Sequence, residues 1–278
     1  MILISRPHRS KSAAIALAAA GILVLPAAVK PPDDPVNEAA RKAAAAYEQS
    51  LPDYIVQRTT VRFRGARNGP TDPPEAVRFW SPFDTISADV TSEHGREIYS
   101  HILRDAKPVS ELPAGGAWTG GEFTAQLQTV LAPERSASFT HKRSEKIGDR
   151  ATWRYEFAID PAHSVWHLAA DRLPGQPAPQ TMTPAYGGAI WIDSETGQVL
   201  RIQMSARGLP EWFALRSVQS DTEYGFVHIG QSDYVLPTHS VSVTCARNGV
   251  VCLKNETTFR DYDKFTANSS VTFDGGGK

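Results

Sequence analysis

The clearest pattern in the chain has a period of two. Over residues 152–159, Trp153, Tyr155, Phe157 and Ile159 alternate with Thr152, Arg154, Glu156 and Ala158. Such alternation predicts a β-strand with one buried face and one wet face. Residues 190–207, IWIDSETGQVLRIQMSAR, read as two strands around a turn. Leu200, Ile202, Met204 and Ala206 share one face and Arg201, Gln203, Ser205 and Arg207 the other, with Gly197 supplying a positive-φ position in the turn. Ile86, Ala88 and Val90 alternate with Thr85, Ser87, Asp89 and Thr91, and Gly95 divides that run from REIYSHIL. SVWHLA reads as a short strand. Residues 217–230 and 234–245 are expected to pair across the QSD turn, residues 250–263 follow, and 270–273 add a last strand.

Two segments carry the helical period. Asp34 is placed as an N-cap with Pro35 at the first helical position. Val36, Ala39, Ala40, Ala43, Ala44, Tyr47 and Leu51 then recur at helical spacing up to Leu51-Pro52, giving a face that is mostly alanine. A second helix is expected from Thr119, where TGGE sets Glu122 three residues on as a capping box. Phe123, Leu127, Val130 and Leu131 line its face and Pro133 ends it.

Consecutive strands joined by short turns must be antiparallel, because parallel pairs need long crossovers. One apolar face per strand means that one side of the sheet is covered. Around ten strands with two helices predict an α+β, mainly β fold, in which a wide antiparallel sheet twists and curls. The expected architecture is a curled sheet forming an open half-barrel covered by two helices. Residues 36–274 are read as one domain and 275–278 as a flexible tail. Residues 169–186 carry four prolines and no periodicity, which reads as a surface loop.

Composition places the chain among globular proteins, at 41% hydrophobic and 21% charged. A formal net charge of −1 without a basic stripe gives no reason to expect a nucleic-acid partner. At the N-terminus, Arg6, Arg9 and Lys11 precede an apolar run over residues 13–29. This reads as a signal peptide over residues 1–29, followed by a Pro-rich linker at 30–35, with an uncleaved anchor as the alternative. Both cysteines lie in CARNGVVC. An Asn248-Gly249 two-residue turn would set Cys245 opposite Cys252 at disulfide distance, as an oxidising compartment would allow. Both readings point to export, into the periplasm or the extracellular space.

No nucleophile elbow, phosphate loop, zincin or dinucleotide motif is present in the sequence. His163 and His167, four apart on an extended segment, would lie roughly 13–14 Å apart, too far to share a metal. Asp160, His163 and Ser164 are too close along one segment to converge as a triad. Asp193 and Glu195 read as turn formers. No catalytic residue, metal site or cofactor is assigned, and the chain is not read as an enzyme.

The order of elements resembles the LolA/LolB/LppX-like superfamily. A helix leading into YIVQRTTVRF, long antiparallel strands, a middle helix and the W-I-D-x-E-T-G-x-V-L-R-I hairpin carry the resemblance. The resemblance implies an exported protein with an open β-barrel that carries a lipid or an acylated protein in its concave cavity, with peripheral contact at a membrane. The apolar strand positions Trp153, Tyr155, Phe157, Ile190, Ile192, Leu200, Ile202 and Met204 are the candidate ligand lining. Two other readings stay open: an envelope module that docks a protein partner, and an exported hydrolase of unknown substrate.

Overall fold

The computed structural model describes residues 34–93, 96–113, 124–170 and 179–265. The signal and most of the linker, Gly95, the capping box of Thr119 and Glu122, Phe123, residues 171–178 of the Pro-rich loop, the strand expected at 270–273 and the tail lie outside the described residues.

Helix α1 spans Pro35–Ser50. Its cap is the expected one: Asp34 Oδ1 accepts the Val36 N–H at 2.9 Å, satisfying one orphan donor of the first turn. Ala40 and Ala44 are buried and Ala43 is half-buried. Helix α2 spans Thr124–Leu131 and buries Leu127, Val130 and Leu131. Pro133, which lacks the N–H needed to continue the helix, opens a 3-10 turn over Pro133–Arg135 instead.

The strands are β1 (Tyr54–Ala66), β2 (Trp80–Glu93), β3 (Arg96–Arg104), β4 (Lys107–Pro108), β5 (Ser138–Ile147), β6 (Arg150–Ile159), β7 (Leu168–Ala170), β8 (Gln180–Met182), β9 (Ala185–Asp193), β10 (Val199–Arg207), β11 (Leu215–Ile229), β12 (Ser232–Ala246) and β13 (Val251–Lys264). Eleven of them form one sheet in the order β4-β3-β2-β1-β13-β12-β11-β10-β9-β6-β5, and β7 and β8 form a separate pair. Every pairing is antiparallel. The sheet does not close: β4 and β5 are its two edges.

The sheet is curled. One apolar cluster joins Val56 of β1 and Val90 of β2 to Tyr155 and Phe157 of β6. Strands β2 and β6 are seven steps apart in the sheet, which would be roughly 34 Å if it were flat. A single cluster that also takes in Ala40, Ala44, Leu127 and Leu131 requires the strands to wrap around the two helices. The expected fold class is therefore observed.

Three local expectations are corrected. SVWHLA is not a strand throughout: it follows a 3-10 turn at Pro161–His163, and only Leu168 onward is strand, pairing with β8. Trp166 instead turns its ring onto Tyr186, with centroids 5.7 Å apart. The β11–β12 turn falls at Gly230 and Gln231, where Gly230 takes φ +66°, rather than on the QSD triplet. In the cysteine hairpin only Gly249 adopts positive φ, at +101°, and Asn248 does not. The reason is Arg67. Its backbone N–H donates to the Val250 carbonyl at 2.9 Å, and its Nη2 donates to the Ala246 and Gly249 carbonyls at 2.8 and 3.0 Å. With those acceptors satisfied from outside, the loop has no need of the two-residue primed turn. Cys245 still pairs with Cys252 in register, and the two form a disulfide. Closing so short a loop is worth about 2–3 kcal/mol.

Candidate ligand face on the concave side of the sheet

Cross-strand register decides which side chains share the concave side. One row runs Ile86, Thr60, Thr257, Ser240, Thr222, Ile202, Ile190, Tyr155 from β2 to β6. The next runs Asp84, Arg62, Asn255, Ser242, Ser220, Met204, Gly188, Phe157. All are buried. Along these two rows the face is divided, apolar over β10, β9 and β6 and polar over β11, β12, β13 and β1, while further along the same strands Val56, Tyr224, Val235, Leu236 and Phe259 join the apolar cluster.

The apolar half contains the lining expected from sequence. Tyr155, Phe157, Ile190, Ile192, Leu200, Ile202 and Met204 lie in one buried cluster, and Trp153 packs against it while half-buried. Phe157 meets Phe139 and Tyr186 at centroid distances of 6.4 and 6.5 Å. Gly188 keeps the row flush, because a Cβ there would fall 1.9 Å from the Gln203 carbonyl oxygen. These side chains are brought together, but as a packed layer beneath the helices.

The cover is small-sided on α1 and large-sided on α2, whose Leu127, Val130 and Leu131 lie in the same cluster. Between α1 and the sheet lies a shallow hollow lined by Ala40, Ala43, Ala44, Leu127, Gln198, Val199 and Val235, with room for about one water molecule. The start of α1 is tied to the edge strand: Lys142 Nζ donates to Asp34 Oδ1 and Oδ2 at 3.1 and 3.0 Å. The Arg41 guanidinium stacks over the Phe139 ring at 5.7 Å. Helix α2 is held by polar contacts to the sheet. Tyr186 Oη donates to the Thr129 carbonyl at 2.6 Å, and Gln126 Nε2 donates to Ser220 Oγ at 3.4 Å. Burial pushes the Tyr186 hydroxyl up to about 12.

Sequence reasoning missed the polar half. On β1 and β12 the hydropathy pattern is inverted: Val61, Val241 and Val243 lie on the convex side, while Thr60, Ser240 and Ser242 are buried. Thr60 Oγ1 and Thr257 Oγ1 share a hydrogen bond at 2.9 Å, and Thr222 Oγ1 donates to Ser240 Oγ at 3.4 Å. Asp84 takes Arg62 Nε at 2.6 Å and a second bond from Arg62 Nη2, and Arg104 Nε reaches the same carboxylate at 2.9 Å. The Arg62 hydrogen bond is the main reason the Asp84 carboxyl sits below the usual carboxylate range, against the opposing effect of burial. Among the described residues, Asn255 Nδ2 is buried without a hydrogen-bond partner.

The convex face is charged. Trp191 lies between the guanidinium groups of Arg154 and Arg201, at 5.2 and 5.1 Å from its ring, and donates through Nε1 to Glu145 Oε2 at 2.7 Å. Arg201 forms a two-pronged pair with Asp221, at 2.9 and 2.6 Å.

Asp193 and Glu195 lie in the β9–β10 turn, as expected of turn formers. Burial would raise the Asp193 carboxyl. The Arg150 guanidinium, the N–H groups of Thr196 and Glu195 and the Thr196 hydroxyl outweigh it and hold the group at about 2. A carboxyl lowered from 3.8 stabilises the fold above its unfolded value, and that contribution is lost as pH falls through about 2. The shift corresponds to at most about 2 kcal/mol. The Asp193→Asn variant is accordingly expected to unfold at lower urea at pH 7, with the gap from wild type narrowing between pH 4 and pH 2. Parallel urea curves at pH 7 and at about pH 2.5 with an unchanged gap would contradict this.

Of the remaining polar groups, His163 closes the 3-10 turn by donating its N–H to the Asp160 carbonyl at 3.1 Å, and His167 Nδ1 bonds Thr183 Oγ1 at 2.8 Å. Among the described residues, no three His, Cys, Asp or Glu side chains are grouped to hold a metal ion, and no helix is long and apolar enough to cross a membrane.

No family model and no curated protein matches this chain. Among solved structures, the chain is similar to a LolA superfamily protein, NE2245, from Nitrosomonas europaea. The likeness has 10% identity, covers 81% of this chain and 92% of that one, and has a TM-score of 0.31. The chain's own strand order and core give an open, curled antiparallel sheet wrapped around its two described helices.

Proposed function

We propose that this protein is an exported, non-catalytic binder or carrier of an acyl-chain ligand, a lipid or an acylated protein, held on the apolar half of the concave face. The observation that carries the reading is the mismatch between that half and its cover. A continuous layer of large apolar side chains is covered by α2 with Leu127, Val130 and Leu131, and by α1 with a face that is mostly Ala40, Ala43 and Ala44 beside Val36. Each buried methyl is worth about 0.8 kcal/mol, so the alanine face of α1 contributes a few kcal/mol. A chain of about fifteen methylenes gains on the order of 12 kcal/mol on leaving water. An acyl chain can therefore displace α1 and lie on the layer of Tyr155, Phe157, Ile190, Ile192, Leu200 and Ile202, with Trp153 at the rim and Met204 beside α2. The disulfide between Cys245 and Cys252 supports an oxidising compartment, periplasmic or extracellular.

The test is mass spectrometry of organic extracts from protein purified out of its native cells. The expected result is a lipid or fatty acyl species at near-equimolar ratio. Repeated recovery of empty protein that takes up no fatty acid when incubated with it would count against carriage. A second reading, an envelope module that docks a protein partner, is favoured by Phe79 and Trp212, which are 84% and 58% exposed. Stable co-purification of one protein with no lipid would select it.

A further inference from the structure

We propose that the buried polar half of the concave face is a headgroup subsite, which takes an anionic, oxygen-rich head while the acyl chain lies over β10, β9 and β6. The inference rests on the carrier reading above and adds the class of ligand.

Three observations carry it. The first is continuity. Thr222 is the direct cross-strand neighbour of Ile202, and Ser220 of Met204, so the polar and apolar halves are one surface with a boundary between β11 and β10. A ligand lying across the strands would meet chain-binding side chains on one side of that boundary and hydroxyls on the other.

The second is energetic. Thr222 and Thr257 are 0% and 3% exposed. Valine has nearly the shape of threonine and carries no hydroxyl to desolvate, so an ordinary core is more stable with valine there. At this end of β12, Ser240 and Ser242 are inside, while Val241 and Val243 lie half-buried on the opposite face.

The third is a buried donor next to guanidinium groups. Asn255 Nδ2 is buried in this band with no acceptor among the described residues. Beside it one carboxylate, Asp84, faces two guanidinium groups, Arg62 and Arg104. A buried amide donor beside two guanidinium groups that meet on one carboxylate suits a phosphate or carboxylate. The competing explanation is that the hydroxyls only fix strand register. In that case their loss changes stability and leaves ligand choice untouched.

The experiment measures binding of dioctanoyl phosphatidylglycerol, dioctanoyl phosphatidylcholine, dioctanoylglycerol and glycerol phosphate to the full chain by calorimetry. Phosphatidylglycerol is expected to bind about tenfold or more tighter than dioctanoylglycerol, since a hydrogen bond to a charged group is worth about 1.5–3 kcal/mol. Glycerol phosphate, which has no chains, is expected to bind far more weakly than either. The Asn255→Leu/Thr257→Val variant is expected to lose that head preference and keep its affinity for dioctanoylglycerol. If this variant does not fold, the isosteric pair Thr222→Val/Thr257→Val is read in its place. Equal binding of phosphatidylglycerol and dioctanoylglycerol overturns the headgroup subsite and leaves the carrier standing. Equal binding of phosphatidylcholine and phosphatidylglycerol overturns the anionic preference. Glycerol phosphate binding as tightly as phosphatidylglycerol, or no binding of any chain-bearing probe, overturns the carrier reading and the subsite with it.

Discussion

Replacing Phe157 with alanine is expected to destabilise the protein by about 3–5 kcal/mol. The ring is 2% exposed and lies in the central cluster between Phe139 and Tyr186. Its removal forfeits the transfer free energy of the ring and leaves a cavity that its neighbours cannot close. Gly188, its cross-strand neighbour, has no side chain to move into the gap. Trp153→Ala, on the same strand but half-buried, is expected to cost less. Guanidinium unfolding of both variants at one pH measures the difference, with the slope checked for two-state behaviour. The comparison also bears on function. A cost below about 1 kcal/mol for Phe157→Ala would mean that this layer is slack in solution and already open to ligand.

The second large effect is expected at Asp84. Its carboxylate is fully buried and neutralises Arg62, which is itself nearly inaccessible. Asp84→Ala leaves a guanidinium in the sheet without its counter-charge, and removing one partner of a buried pair typically costs about 3–5 kcal/mol. The double variant Arg62→Leu/Asp84→Leu is expected to recover most of that loss, because two apolar side chains leave no charge to desolvate. A double-mutant cycle read by urea unfolding tests this. Additive losses would show that the two residues do not act as a pair. The sign with pH follows from the lowered Asp84 carboxyl: its stabilisation is present at neutral pH and is lost as pH falls through the lowered value.

The apolar half of the concave face was legible in the sequence because its strands obey the alternation rule. Tyr155 and Phe157 on β6, and Leu200, Ile202 and Met204 on β10, are apolar where the chain faces the helices. The cap of α1 and the cysteine pairing were legible for a similar reason, since each depends on residues adjacent in sequence or across one turn. The polar half was not. In YIVQRTTVRF the apolar Val61 and Phe63 suggest one inward face, yet Arg58, Thr60 and Arg62 are the buried set. Burial there depends on partners far away in sequence: Asp84 on β2, and Asn255 and Thr257 on β13. No local pattern reports such partners. The cysteine turn shows the same limit, because Arg67, distant in sequence, supplies the hydrogen bonds that release Asn248 from positive φ. The sequence also did not show that the apolar layer is packed shut, since how closely an alanine-faced helix seats on a sheet depends on the curl of the whole sheet.

The central claim is that an acyl chain reaches the concave face by displacing α1. Pinning α1 to the sheet tests it most directly. A Cβ built at Gly197, in the β9–β10 turn, lies 3.3 Å from the Cβ of Ala39 on α1. That is close to the roughly 3.5–4.5 Å of a disulfide, so Ala39→Cys/Gly197→Cys should cross-link, with strain of about 1–2 kcal/mol from the positive φ at 197. The measurement is fatty-acid binding to the oxidised and reduced variant, with wild type carried through the same reductant to account for Cys245 and Cys252. The account expects binding to be lost in the cross-linked protein and restored on reduction, and undiminished binding with α1 pinned would contradict it.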